Sequence, residues 1–304
     1  MTNKMIEVVE YTDPLCSIAW GTEPYKRRLL SRFEDKLNWR VVMAGLCGDN
    51  SKVSTYQPWD AYKAGQAYMK VWKRVTGITG MPYPQDLQYM AISTDPPCLI
   101  VKAAELQGTD IADRVLRRFR EAVFLYGTPV DSIDQTRLAL EGLPGLDIDK
   151  LLEDAATDEV KAAYLADWEE TRRPNDYVRN LPDAETEHLL GGMMVSEGHE
   201  RYNLPTFIFT GPAGERTVPG YRPYEEYEAA LEEVSPGILA QAKPDPTPEQ
   251  ALERWSTMTS KELEIVCGTS DGHETKGQHV EGGGADFWMN EVEAAYCEKR
   301  QQAT

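Results

Sequence analysis

Residues 7–24 read "EVVEYTDPLCSIAWGTEP". β-branched and aromatic residues precede Asp13-Pro14, and Ile6, Val8 and Val9 suit a first strand over 5–11. Asp13 and Pro14 fix a turn. From Ser17 to about Phe33, the apolar residues Ile18, Trp20, Tyr25, Leu29, Leu30 and Phe33 recur at helical spacing. "LNWRVVMAGL", 37–46, then reads as a second strand. Strand, helix and strand within some forty residues make a βαβ unit, the start of an α/β fold. Cys16 sits where the helix begins, and the unpaired N–H groups of a helix N-terminus stabilise a thiolate there. The expectation is a reactive thiol of lowered pKa. A redox dithiol would place its second Cys three residues on, and that position holds Ala19.

Downstream, from about 52 to 192, no segment reads as a strand. "WDAYKAGQAYMKVWKRVTG" is an amphipathic helix. "PPCLIVKAAELQG" has Pro at its start and Gly at its stop. "DIADRVLRRFREAVFLYG" is a helix with Asp110 as its N-cap. "DIDKLLEDAATDEVKAAYLADWEETRR" reads as two helices, and "DAETEHLL" as the start of a last one. Strand character returns at "LPTFIF", 204–209, followed by a turn, the short strand "RTVPG" and the helix "RPYEEYEAALEEV". The order β-α-β, helical insert, β-β-α implies that the two terminal pieces pair into one sheet. Pro205 at the front edge of the returning strand cannot donate to a ladder, and a cis bond at Leu204–Pro205 would free the preceding backbone. "KPDPTPEQ", 243–250, reads as a linker, and the acidic remainder as three short helices. The division expected is 1–47 and 196–243 for the α/β part, 48–195 for an all-helical insertion and 244–304 for a small helical C-terminal extension.

Composition narrows the function. The chain has 304 residues, 41% of them hydrophobic, enough to bury a sizeable core. A net charge of -18 argues against nucleic acid, which needs clustered Lys and Arg, and against an anionic membrane surface. No apolar run is long enough to span a bilayer, and "MTNKMIEVVEY" is too short and charged for a signal peptide. The five cysteines, Cys16, Cys47, Cys98, Cys267 and Cys297, are odd in number and dispersed, which points to reduced thiols in a cytoplasm. Cys267, His273, His279 and Cys297 fit no familiar zinc spacing, so no metal is expected. Gly282-Gly283-Gly284 follows no strand in this reading and is a flexible loop rather than a dinucleotide fingerprint.

"TDPLCSIAWGTEP", "RVVMAGL", "PPCLIVKAAELQG" and "GHERYNLPTFIF", in that order, resemble the thioredoxin-like DsbA family in its FrnE/SpxH-type branch. The resemblance implies a thioredoxin-like fold interrupted by a large helical insertion, and thiol–disulfide chemistry. It makes Cys16 the nucleophile and Pro205 the cis-proline facing it. With Ala19 in place of the resolving Cys, attack by Cys16 stops at a mixed disulfide until another thiol arrives. That thiol is a small cytosolic one such as glutathione, or Cys98, which the resemblance places over the active-site face; Cys98 is otherwise a small packed hydrophobe.

Substrate-binding candidates are Asp13, Pro14, Ser17, Trp20, Leu204, Thr206 and Arg201. The Leu204 backbone would pair with an extended peptide. Arg201 would hold the carboxylate of a glutathione-like thiol or sit solvated in a loop. Trp20 walls the groove or fills core. Three functions remain open: a monothiol thiol–disulfide oxidoreductase or isomerase acting on protein or small-molecule disulfides, a catalytically impaired adaptor that delivers a client to a protease, and a kappa-type glutathione transferase or isomerase. The last uses Ser at the thiol position, and here Ser17 is only adjacent.

Overall fold

The computed structural model describes residues 6–53, 58–181, 191–273, 275–282 and 285–302. Strand β1 (Ile6–Thr12) is buried at every position but Glu7. That continuous burial marks a central strand covered on both faces. Helix α1 (Ser17–Phe33) carries the chain over to β2 (Leu37–Met43), which pairs parallel with β1 from Ile6↔Leu37 to Thr12↔Met43.

A run of helices follows: α2 (Asn50–Val53), α3 (Ala61–Thr79), α4 (Asp95–Glu105), α5 (Thr109–Phe124), α6 (Ile133–Leu140), α7 (Ile148–Ala155), α8 (Asp158–Thr171) and α9 (Asp176–Arg179). The expected helix beginning at "DAETEHLL" lies outside the described residues. A hairpin of β3 (Met193–Ser196) and β4 (His199–Tyr202) comes next, then β5 (Thr206–Gly211), β6 (Gly214–Pro219) and α10 (Tyr224–Val234). Antiparallel β5 and β6 extend the first two strands into one four-stranded sheet of order β2-β1-β5-β6. Sequence ends that are far apart thus meet side by side, with the helices between them.

Side-chain alternation gives the sheet two packed faces. Ile6, Val8, Phe207 and Phe209 meet Tyr25, Leu29 and Phe33 of α1 and Tyr227 and Leu231 of α10. Val9, Tyr11 and Ile208 face the other way, toward Cys16, Ile18, Tyr202 and Leu204. A separate core built on α4 and α5 includes Cys98, Val115, Phe119 and Val123, and it reaches Leu15 and Trp20.

Four expectations fail locally. The C-terminal extension is not all helical: α11 (Pro248–Trp255), β7 (Thr257–Thr259), α12 (Ser260–Cys267), β8 (Gln278–Gly282), β9 (Ala285–Met289) and α13 (Glu291–Gln302) include a three-stranded sheet of order β7-β9-β8. "ADFWMNEVEAAYCEKR" looks like one helix, but Asn290 splits it. Its side chain accepts the Glu293 amide at 2.9 Å and caps α13, while Phe287 and Met289 pack toward the insert and Trp288 toward α12. The 193–202 hairpin straddles the expected boundary at 195/196, and its turn is made by Glu197 (φ 53°) and Gly198. Asp110 is not the cap of α5; that position is Gly108, and Asp110 lies in the first turn, where its charge suits the helix dipole. Finally, the proline-rich 243–250 segment is not a free tether. The Lys243 amide donates to Arg32 O at 3.0 Å, and Asp245 pairs with Arg28 at 3.3 Å. Gly283 and Gly284 of the expected flexible loop lie outside the described residues.

Candidate active-site face around Cys16

The turn that presents Cys16 is tied by the carboxylate of Asp13. It accepts the Leu15 amide at 2.8 Å and the Leu46 amide at 2.7 Å, joining the ends of β1 and β2. The Cys16 amide donates to Asp13 O at 3.2 Å. Cys16 is the N-cap of α1, with extended backbone, and its Sγ accepts the Ala19 amide at 3.5 Å. Across the sheet end the Leu204–Pro205 peptide is cis, and the Cys16 thiol donates to Leu204 O at 3.6 Å. Cys16 and Pro205 therefore face one another.

The electrostatics differ from expectation. Only 6% of Cys16 is exposed. Burial pushes its thiol up; the Ala19 N–H opposes this, and the Asp13 charge adds to it. The lowered pKa expected of a helix-start cysteine is overturned, because the Ala19 and Ile18 N–H groups do not offset removal from water. Asp13 is itself fully buried, and burial raises its carboxyl against the two amides that hold it.

Cys98 is placed at the start of α4, as expected, but its thiol donates to Asp13 Oδ2 at 3.5 Å. Burial first and then the Asp13 charge raise it well above the ordinary thiol value. Cys16 and Cys98 are both free. Asp13 thus holds the Cys98 thiol through its carboxylate and the Cys16 backbone through its carbonyl, and its charge raises both thiols.

The backbone of Leu204 is not open for strand pairing. Its N–H donates to the Asn203 side chain at 3.0 Å and its carbonyl receives the Cys16 thiol. Thr206 is buried and donates to Asn203 O at 2.7 Å. Asn203 therefore stands where a bound strand would supply an acceptor. Trp20 is core: its Nε1 donates to Pro82 O at 2.9 Å and its ring stacks on Phe124 at 5.9 Å. Pro14 and Ala19 are buried and Ser17 half-buried.

Arg201 is no solvated loop residue. It is 3% exposed, and Nη1 donates to Tyr202 O at 2.8 Å. Sequence reasoning missed its companion Arg172, on the C-terminal edge of α8. That side chain lies 3.5 Å above the Trp168 ring and donates to Ala44 O at 2.8 Å and Gly45 O at 3.2 Å. It also missed Cys47, whose thiol is pushed up to about 12 by burial and then by the Glu197 charge. Nothing in a single sequence signals these; they come from a helix end and a loop that only the folded chain brings together.

His273 and His279 meet edge-to-face beside Trp288 in the C-terminal extension, with imidazole centroids 4.9 Å apart. Cys297 lies elsewhere, 3.3 Å from the Tyr126 hydroxyl. Among the described residues no three His, Cys, Asp or Glu side chains converge as a metal site. No described helix is long and apolar enough to cross a membrane.

The profile of the thioredoxin family matches residues 10–175. The ClpXP adapter protein SpxH of Shouchella clausii is 26% identical over 270 residues, covering 88% of this chain and 79% of that protein. SpxH of Halalkalibacterium halodurans is 26% identical over 86% of this chain and 78% of its own length. Among solved structures, a protein disulfide isomerase candidate from Nitrosomonas europaea superposes with a TM-score of 0.54 at 18% identity, covering 78% of this chain and 99% of that one. That likeness supports the fold, a DsbA-like sheet with a helical insertion.

Proposed function

This chain belongs to the thioredoxin family, and on that premise we propose that it works by binding rather than by turnover, as an adaptor that presents a client protein segment to a protease. The observation that carries this reading is the state of Cys16. Its thiol is buried, raised in pKa, bonded to Leu204 O, and without a second Cys at position 19. A thiol that stays protonated is a poor nucleophile. What remains is a shaped face at the sheet end, where displacing the Asn203 side chain from the Leu204 amide would open a backbone donor to an extended client. The adapter relatives match this chain along most of its length, which supports the same reading. A net charge of -18 and dispersed, free cysteines suit a cytoplasmic setting.

A second reading rests on the N-cap geometry. The Ala19 N–H aimed at Cys16 Sγ is the contact that would stabilise a thiolate once the face opens. In that case the Cys16 thiolate attacks a disulfide, one S–S bond forms as another breaks, and the departing thiolate takes a proton. An external thiol such as glutathione then attacks the mixed disulfide and releases Cys16.

Cys16→Ser separates the two. With a purified client and a ClpXP-type protease, the adaptor reading expects the variant to bind and deliver the client as the wild type does. Loss of delivery together with a mixed disulfide trapped on wild-type Cys16 would favour exchange. A wild-type chain that neither binds a client nor speeds its degradation ends the adaptor reading.

A further inference from the structure

Arg172 and Arg201 are the unusual pair on this face. In a chain with 50 acidic against 32 basic residues, most buried cations are matched by carboxylates. Arg117, Arg118 and Arg120 all are. Neither Arg172 nor Arg201 has a carboxylate within ion-pair distance among the described residues, and the Nε of each is buried without a hydrogen-bond partner. Arg201 makes a single hydrogen bond there, to a backbone carbonyl. Arg172 is held only by carbonyls and the Trp168 face.

The acids whose charges act on the pair are engaged elsewhere. Glu197 accepts the Gly48 and Asp49 amides at 3.0 and 3.2 Å. Asp13 accepts the Leu15 and Leu46 amides, and Asp95 the Tyr164 hydroxyl at 2.5 Å. The end of α8 meets the β3–β4 hairpin here: the Trp168 ring under Arg172 lies edge-on to His199, two residues before Arg201, with centroids 5.5 Å apart, and the Asn175 amide donates to the Tyr202 hydroxyl at 2.9 Å. Burial first and then the Arg201 charge pull Arg172 down to about 10. The Cys16 sulfur is among the groups that act on Arg201. Guanidinium stays charged in proteins, and an uncompensated buried charge is strongly unfavourable. Both side chains are also held at fixed positions, Arg172 by its carbonyls and ring, Arg201 by the β3–β4 hairpin. Fixed guanidinium groups with no carboxylate partner, each with a buried Nε left without an acceptor, are arranged to receive an anion.

We infer that Arg172 and Arg201 form a carboxylate-binding subsite next to Cys16, so that the ligand of this face carries an acidic group. This deepens the adaptor reading by giving the client segment a required acidic residue, and it applies equally to a small acidic thiol. The shared chemistry is a carboxylate received by two guanidinium groups.

The test uses the full chain and reads binding, not turnover. Thermal-shift and calorimetric titrations with succinate and with glutathione probe small acids. A pair of short peptides, identical except for Glu or Gln at one position, probes the client source. The expected result is that at least one acid stabilises the protein, that the Gln peptide binds about tenfold or more weakly than the Glu peptide if the source is a client, and that Arg201→Gln removes the preference. Arg172→Gln, at a half-buried position, gives the same loss should Arg201→Gln fail to fold. Arg201→Lys keeps a charge and retains part of the binding. Small acids alone binding identifies a small ligand; the Glu peptide alone identifies a client. Failure of every acid to bind or stabilise the wild type, or binding unchanged in both Gln variants, overturns the subsite. Client delivery that persists in those variants would leave the adaptor reading standing without it.

Discussion

Replacing Glu262 with Ala should unfasten the C-terminal extension from the thioredoxin body. Glu262 is fully buried on α12. It accepts a bidentate pair from Arg117 at 2.6 and 3.1 Å, lies 3.1 Å from Arg27 Nη1, and accepts the Thr259 amide at 2.8 Å as half of a capping box. Breaking a buried pair by removing one partner costs about 3–5 kcal/mol, because the other charge is left behind. Loss of the capping-box bond adds about 1 kcal/mol. Arg117 keeps Glu121 at 2.7 Å and Arg27 keeps Thr257 O at 2.6 Å, which places the total at the lower end, about 4 kcal/mol. That is a large part of the ~5–15 kcal/mol by which folded domains are stable. Urea unfolding followed by tryptophan fluorescence reads the loss, and limited proteolysis across 243–250 reads local release. Glu262→Gln, which keeps the shape and turns donors toward donors, should fall between. If Glu262→Ala lowers stability by less than about 1 kcal/mol and the segment stays protected, the network is not what fastens the extension.

Cys16 should alkylate slowly at neutral pH: a thiol at or above the free value of about 8.5 is less than ~3% thiolate at pH 7. Its rate should keep rising past pH 8.5, and a plateau near pH 6 would contradict the burial argument. Ala19→Cys should restore a dithiol, so that mild oxidation consumes two thiols in the variant and leaves the five native ones free in the wild type; no loss of thiols in the variant would show that the turn cannot close a bridge. Burial alone would raise the Glu23 carboxyl, but Arg120, Lys26, Arg117 and Arg27 outweigh it and hold it down to about 2, from 4.5. Its contribution is therefore present above the unfolded value and lost as pH falls from about 4.5 toward 2. Glu23→Gln should cost about 3 kcal/mol near pH 7 and flatten the acid limb of the stability profile in that window; an unchanged acid limb would remove Glu23 from the account.

Much of the fold lies in local pattern. The β-branched run before Asp13-Pro14, the helical spacing from Ile18 to Phe33 and the alternation in "TFIF" are set by short-range periodicity, so β1, α1, β2, β5, β6 and most insert helices are legible from residues alone. Cys16 at the helix start is legible for the same reason, whereas Pro205 across from it is implied by the resemblance to the DsbA family and not by periodicity. Where the reading failed, a neighbour distant in sequence decided the outcome. "ADFWM" is a strand because β7 and β8 flank it and cores lie on both its faces. Residues 243–250 are pinned because α1 supplies Arg28 and Arg32. The acidity of Cys16 turned on burial. A helix start predicts a stabilised thiolate, but the desolvation that outweighs it depends on how Leu204, Asp13 and the insert close around the sulfur. The unpaired arginines are likewise invisible in sequence, since a charge is known to lack a partner only when everything packed around it is in place. Periodicity is a property of adjacent residues and is written in their order; burial and charge pairing are properties of surroundings, and only the tertiary structure supplies those.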